Sequence, residues 1–95
     1  MALPQLLVHH RKDNVGVVAV EDLAAGAEML CVVVADDSEF ALTAAEAAPL
    51  GHKLALCDLQ KGDAVYKYGE NIGKMIAPAR KGGYVHVHNL KTNRW

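Results

Sequence analysis

The chain has 95 residues, of which 52% are apolar and 22% are charged, and its formal net charge is −1. This length and composition predict one globular domain spanning residues 1–95, and they exclude an intrinsically disordered chain. With a sequence pI of about 6.5 and only five aromatic residues, the chain lacks the basic patch and stacking platform of a nucleic-acid-binding protein.

The charges are divided unevenly between the two halves of the chain. Residues 1–50 carry two basic and eight acidic groups, a net charge of −6, whereas residues 51–95 carry eight basic and three acidic groups, a net charge of +5. Three of the five histidines also lie in the second half. A basic, histidine-containing half suits a small anionic ligand or an acidic partner surface.

Several features predict a cytoplasmic protein. Residues 1–8 lack the charged and apolar regions of a secretory signal. No apolar run approaches the roughly 18–20 residues that span a membrane. Cys31 and Cys57 both lie in apolar runs, so we expect two buried, reduced thiols that behave as small hydrophobic side chains.

The first half of the chain reads as short strands joined by polar turns. Apolar and β-branched runs predict strands over residues 6–10, 15–20, 29–35 and 39–42. Thr43 and Glu46 have the spacing of a helix capping box. Pro49 and Gly51 follow closely, so we expect one short helix that ends within about a turn and a half.

The second half continues the same pattern. We predict strands over 52–59 and 64–68, a loop with glycine at both ends over 69–73, extended chain over 72–76 and a turn-rich link over 78–83. Residues 1–4 and 91–95 are expected to be loose ends. The sum is a mostly-β fold, a small barrel or clip with one short helix.

A final strand over 83–89 is expected to present two histidines away from the core. Strict alternation would place Val85 and Val87 on the core face and Tyr84, His86 and His88 on the other face. Imidazoles at i and i+2 lie roughly 6.5–7 Å apart at the backbone and can converge on one ion or ligand. The alternative is a solvated strand face that happens to be rich in histidine.

Other residues in this half are candidates for the same chemistry. His52 could act as an acid or base, or it could be a half-buried structural histidine, since it alternates with Leu54 and Leu56. Lys53 and Lys67 could hold an anionic substrate, or they could be surface lysines. Other polar or aromatic positions are expected to be strand-end or packing residues: His9, His10, Tyr66 and Tyr68.

Four short motifs in this order resemble those of a known family. They are Asp13-Asn14-Val15, Gly51-His52-Lys53, Lys67-Tyr68-Gly69-x-x-Ile72-Gly73 and His86-x-His88-Asn89. Together they resemble the SAF-type (β-clip) domain of altronate dehydratases, and the separate small subunit of altronate dehydratase-like and sulfolactate sulfo-lyase enzymes. The resemblance runs from about His9 to Trp95.

The resemblance implies a β-clip fold and a function. It implies the small subunit of a two-component, metal-assisted hydro-lyase that acts on a sugar acid or related hydroxy acid such as altronate or sulfolactate. Such a subunit is expected to be inactive without its large catalytic subunit. The resemblance also implies a divalent metal, in this family iron, and it allows a homo-oligomer. The alternative is a non-catalytic SAF module that binds a sugar acid or a partner protein. In neither case do we expect the chain to bind nucleic acid or a membrane.

The site residues that follow from this reading come from the three strongest motifs. We expect acid–base catalysis from His52, His86 and His88, with the last two also able to ligate a metal. We expect substrate binding by Lys53, Lys67 and Asn89.

Overall fold

A computed structural model describes residues 3–92, and those residues form nine short β-strands. The strands are β1 (Leu6–Val8), β2 (Val15–Val18), β3 (Glu28–Val33), β4 (Ser38–Thr43), β5 (Lys53–Ala55), β6 (Ala64–Lys67), β7 (Glu70–Met75), β8 (Tyr84–Val85) and β9 (Leu90–Thr92). The predicted mostly-β fold is therefore confirmed. No helix in the described part of the chain is long and apolar enough to cross a membrane.

The strands form two sheets. The first has six strands in the order β4-β3-β1-β2-β5-β8, and the second has three in the order β6-β7-β9. All pairs are antiparallel except β1 with β3, which is parallel. The predicted barrel is not closed in the described residues, because β4 and β8 remain unpaired edges of the larger sheet.

Alternation along the central strands creates two cores that share one sheet. In β2 and β5, Val18 and Leu54 pack into one cluster with Leu6, Met29 and Leu42. On the opposite face of the same two strands, Val15 and Ala55 belong to a second cluster beneath the smaller sheet. Its other members come from β6, β7, β8 and β9: Val65, Met75, Val85 and Leu90. Because successive side chains of a strand point to opposite faces, the same two strands supply both cores.

The turn after β1 ties the two sheets together through two short polar side chains. The carboxylate of Asp13 accepts hydrogen bonds from the backbone N–H groups of His10, Tyr68 and Gly69 at 2.8–3.1 Å. Asn14 accepts from the N–H of Tyr66 and donates to the carbonyl of residue 64, both at 2.8 Å. The Asp13-Asn14 motif therefore fixes the position of the β6–β7 hairpin.

That hairpin corrects the loop predicted over residues 69–73. The connection is only two residues, Tyr68 and Gly69, and both have positive φ, 58° and 73°. This is the combination that a tight two-residue hairpin requires. The strand then runs from Glu70, and Gly73 lets β9 approach closely, since a Cβ there would lie 2.2 Å from the carbonyl oxygen of Lys91.

The predicted helix after Thr43 is wrong. Thr43 is the last residue of β4 and pairs with Glu28. The next two N–H groups donate to carbonyls across the fold, that of Ala44 to Ala27 and that of Ala45 to Gly82. A segment this short cannot form a stable helix without help from packing, and here cross-strand hydrogen bonds claim its backbone.

Three smaller expectations are also corrected. Strand β5 ends at Ala55, so Cys57 lies beyond the strand and is exposed, whereas Cys31 is buried as predicted. Lys91 and Thr92 belong to β9 and are not loose. The remaining predicted loose ends, residues 1, 2 and 93–95, lie outside the described residues.

Candidate active site

The strand predicted over residues 83–89 ends at Val85, and the chain then makes a tight turn. The N–H groups of Asn89 and Leu90 both donate to the carbonyl of His86, at 3.0 and 2.8 Å. Val87, predicted in the core, is therefore 73% exposed at the turn. Alternation fails here because the chain no longer follows the sheet.

Asn89 is the physical reason for the turn. Its side chain is buried, accepts a hydrogen bond from the N–H of His86 at 2.9 Å and donates to the carbonyl of Tyr84 at 2.8 Å. An asparagine amide that satisfies nearby backbone groups in this way competes with strand pairing. Asn89 thus positions the turn that carries both histidines, and its predicted contact with substrate stays a prediction.

Despite the turn, the predicted histidines do come together. His52, just before β5, and Tyr84 on β8 lie on the same face of the sheet, with the Tyr84 hydroxyl 2.5 Å from His52 Nδ1. The ring of His86 lies 4.6 Å from that of His52 and 5.7 Å from that of Tyr84, centroid to centroid. The His88 ring lies 5.5 Å from Tyr84. We call these four side chains the ring cluster: His52, Tyr84, His86 and His88.

Tyr84 is the member of the ring cluster that sequence reasoning did not select as a site residue. It packs partly against the first core and contacts each of the three histidines. Its position in the predicted alternation, on the face of His86, was the available signal. Donation by its hydroxyl to Nδ1 would place the proton of a neutral His52 ring on Nε2.

The two predicted lysines lie near enough to each other to interact electrostatically. Lys53 starts β5, pairs with Val17 and Val85, and is half-buried. Partial burial lowers its pKa, and repulsion from Lys67 at the end of β6 lowers it further. Lys67 also lies over the ring of Tyr68, with Nζ 5.1 Å from the centroid. We call Lys53 and Lys67 the lysine pair, two positive charges close enough for one to lower the pKa of the other.

His86 connects the histidines to the lysines electrostatically. Desolvation lowers its pKa, and repulsion from His52, Lys53 and His88 adds to the effect. The lowered pKa favours the neutral form of the His86 ring, and a neutral imidazole can accept a proton.

The other histidines lie outside the ring cluster. His9 packs on the ring of Tyr68, with centroids 4.1 Å apart. His10 Nδ1 accepts a hydrogen bond from the N–H of Lys12. Tyr68 is 61% exposed and Tyr66 is 37% exposed, and the packing expected of Tyr68 is the surface contact with His9.

The described residues do not form a metal site on their own. No three histidine, cysteine, aspartate or glutamate side chains among residues 3–92 are placed to hold one ion. In the ring cluster, the tyrosine ring of Tyr84 packs against all three imidazoles. The cluster contains no carboxylate or thiolate that could complete a metal site. A protein-bound divalent ion usually needs at least three such ligands. Residues 3–92 alone therefore do not supply the ligands of the expected divalent metal, and we derive no chemical step through one.

Comparison with known proteins places this arrangement in a family. Residues 4–93 match the altronate/galactarate dehydratase SAF domain. The chain is 58% identical over 67 residues, 70% of its length, to the whole of a (2R)-sulfolactate sulfo-lyase subunit alpha from Paracoccus pantotrophus. It is 43% identical to the subunit alpha from Chromohalobacter salexigens, covering 94% of this chain and 95% of that one.

A further relative is much longer. The altronate dehydratase of Escherichia coli is 42% identical over 89 residues, which make up 94% of this chain but only 17% of that enzyme. The family resemblance predicted from the four motifs is confirmed. The chain belongs to the altronate/galactarate dehydratase SAF domain family.

Proposed function

We propose that this chain is the small subunit of a two-component lyase that removes water or sulfite from a hydroxy acid. The observation that carries the proposal is the ring cluster, in which three histidines surround Tyr84 and His86 lies close enough to Lys53 for the lysine to lower its pKa. The relatives that match the chain over nearly their whole length are named as subunits of a sulfo-lyase. The longer relatives are named as dehydratases.

The reaction has three chemical requirements. A base takes the proton from the carbon next to the carboxylate, positive charge holds the enolate that forms, and an acid protonates a leaving hydroxyl. Water then departs as the carbon–oxygen bond breaks; in the sulfo-lyase reaction the carbon–sulfur bond breaks and sulfite departs with its electron pair.

The residues of this chain can be assigned to these requirements. His86, whose lowered pKa favours its neutral form, serves as the base. The lysine pair binds the carboxylate and holds the enolate charge. His52, oriented by Tyr84, or the exposed His88 serves as the acid. The remaining binding groups, and any metal, come from the large subunit.

The proposal is tested by reconstituting the two subunits and replacing histidines one at a time. We expect His86→Ala or His88→Ala to lower turnover of altronate or (2R)-sulfolactate by about a hundredfold, the effect of losing a general acid or base. His10→Ala, outside the ring cluster, is the control and should retain activity. All three positions are at or near the surface, so melting temperatures should change little.

The pH profile adds a second readout. Because the pKa of His86 is lowered from its usual value of 6.5, its base form persists at neutral pH. Turnover should fall only as the pH drops below 6.5, and His86→Ala should remove that acidic limb. Histidine variants that lose stability but keep specific activity would show that the ring cluster is structural, and substrate binding without turnover by the two-subunit complex would favour the non-catalytic module.

A further inference from the structure

The turn that carries His86 and His88 also exposes an apolar side chain in a fixed position. Val87 is 73% exposed, and Ile76, adjacent through the hydrogen bond from its N–H to the carbonyl of Asn89 at 2.8 Å, is 43% exposed. The turn is not free to fold Val87 inward, because Asn89 fixes its backbone at both ends. The turn therefore holds two adjacent apolar side chains, Val87 and Ile76, in contact with solvent.

Beside these two residues lies a shallow depression with a basic rim. Val87, Ile76 and Leu90 line it together with Lys91. Lys91 pairs directly opposite Lys74 across β9 and β7, and both are exposed. Like charges directly opposite each other on a sheet destabilise it.

The described residues offer these lysines no compensation. Among residues 3–92, an ion pair joins Arg11 to Asp36 at the other sheet. Within the same residues, neither Lys74 nor Lys91 forms an ion pair with a carboxylate. An acidic surface on a partner protein would offset the repulsion between Lys74 and Lys91. We call this surface the basic apolar patch: Lys74, Ile76, Val87 and Lys91, with the buried Leu90 beneath them.

We propose that the basic apolar patch is the docking surface for the large lyase subunit, which fits it with an apolar socket rimmed by acidic side chains. The proposal rests on the proposed function, and it identifies where the partner binds. Since Val87 stands between His86 and His88 in the same turn, docking here would bring the partner's residues directly against the ring cluster.

The test measures association with a defined partner. The probe is the separately encoded protein from the same genome that resembles the portion of altronate dehydratase outside the segment matched here. We expect Val87→Asp and Lys91→Glu each to raise the dissociation constant at least tenfold. Added salt should weaken the wild-type complex and have less effect on the Lys91→Glu complex.

Val34→Asp is the matched control, because Val34 is also an exposed valine, 51% accessible, but lies in the β3–β4 turn of the other sheet. It should bind within about twofold of wild type. The melting temperature of each isolated variant is measured in parallel and should not fall for Val87→Asp. A fall would mean that Val87 makes an intramolecular contact and would overturn the proposal.

The remaining outcomes separate this inference from the proposed function. If the complex is active and neither Val87→Asp nor Lys91→Glu raises its dissociation constant, the docking surface is wrong and the proposed function stands. If these variants weaken the complex but the wild-type complex turns over no hydroxy acid, the docking surface stands and the proposed function is wrong. Failure of the wild-type chain to bind the probe, or self-association of the wild-type chain that Val87→Asp abolishes, would overturn the docking surface.

Discussion

The contact between Tyr84 and His52 is the most informative single interaction at the candidate site. It joins β8 to the residue before β5 and holds the imidazole in one orientation. In a proton-transfer site, the group that fixes the tautomer decides which nitrogen exchanges protons with substrate. Tyr84 is therefore a positioning residue for the proposed acid.

Replacing Tyr84 with phenylalanine tests that role, because the ring remains and only the hydroxyl is lost. We expect Tyr84→Phe to lower turnover of the reconstituted enzyme about fivefold, since a hydrogen bond contributes on the order of 1 kcal/mol and 1.4 kcal/mol corresponds to tenfold in rate. The pH dependence of turnover should also shift. Tyr66→Phe, on the smaller sheet, is the control; equal behaviour of the two variants would contradict a positioning role.

The two cysteines differ in a way that thiol chemistry can measure. Burial raises the pKa of Cys31 to about 11, and its side chain is fully inaccessible. The pKa of Cys57 is also raised, by partial burial and then by Asp58 and Asp63, but this thiol is exposed. The sequence predicted two equivalent buried thiols, and the structure makes only Cys31 inert.

We expect a thiol reagent to modify Cys57 in the native protein and Cys31 only on unfolding. Because thiolate is the reactive form and the pKa of Cys57 is raised, its reaction should be slow at pH 7 and faster at pH 9. The measurement is a titration of native and denatured chain, with Cys57→Ser as the control that removes the fast phase. Two thiols reacting at one rate would be inconsistent with this structure.

At the scale of elements, the Asp13-Asn14 turn positions half of the candidate site. The three N–H groups that bind the Asp13 carboxylate belong to the turn after β1 and to the β6–β7 turn, and the hairpin they hold carries Lys67. A charged acceptor with three backbone donors is strongly stabilising, and its loss leaves those donors unsatisfied.

We expect Asp13→Ala to lower the free energy of unfolding by about 2–4 kcal/mol, the scale for losing hydrogen bonds to a partly buried charged group. Asp36→Ala is the matched control: that carboxylate is exposed and bonds with Arg11 and Ser38 at the surface, so the change should be small. Chemical denaturation of both variants provides the comparison. Similar losses for the two would mean that Asp13 does not hold the sheets together.

At the scale of the whole molecule, the two cores cannot unfold independently. Strands β2 and β5 contribute Val18 and Leu54 to one core and Val15 and Ala55 to the other. Removing either core would leave one face of the shared sheet exposed to water. The chain should therefore behave as one cooperative unit even without a partner.

We expect the isolated chain to unfold in a single thermal transition and to turn over no hydroxy acid. The measurements are calorimetry, in which the calorimetric and van't Hoff enthalpies should agree, and an activity assay with altronate and (2R)-sulfolactate in the presence and absence of Fe²⁺. Two separate transitions would contradict the shared sheet, and robust turnover by the isolated chain would contradict the subunit assignment.

Local patterns in the sequence determined much of this protein. The β-branched runs located most strands, since alternation and turn chemistry are properties of neighbouring residues. The motifs identified the family and selected His52, His86 and His88, which the structure brings together.

Contacts between residues distant in sequence decided the rest. The helix predicted from Thr43 and Glu46 is absent because Ala27 and Gly82 bind the backbone that a helix would use. Val87 is exposed because Asn89 turns the chain, and the hydroxyl of Tyr84 reaches His52, 32 residues away. Such contacts depend on which strands pair, and a strand's own composition does not specify its neighbour.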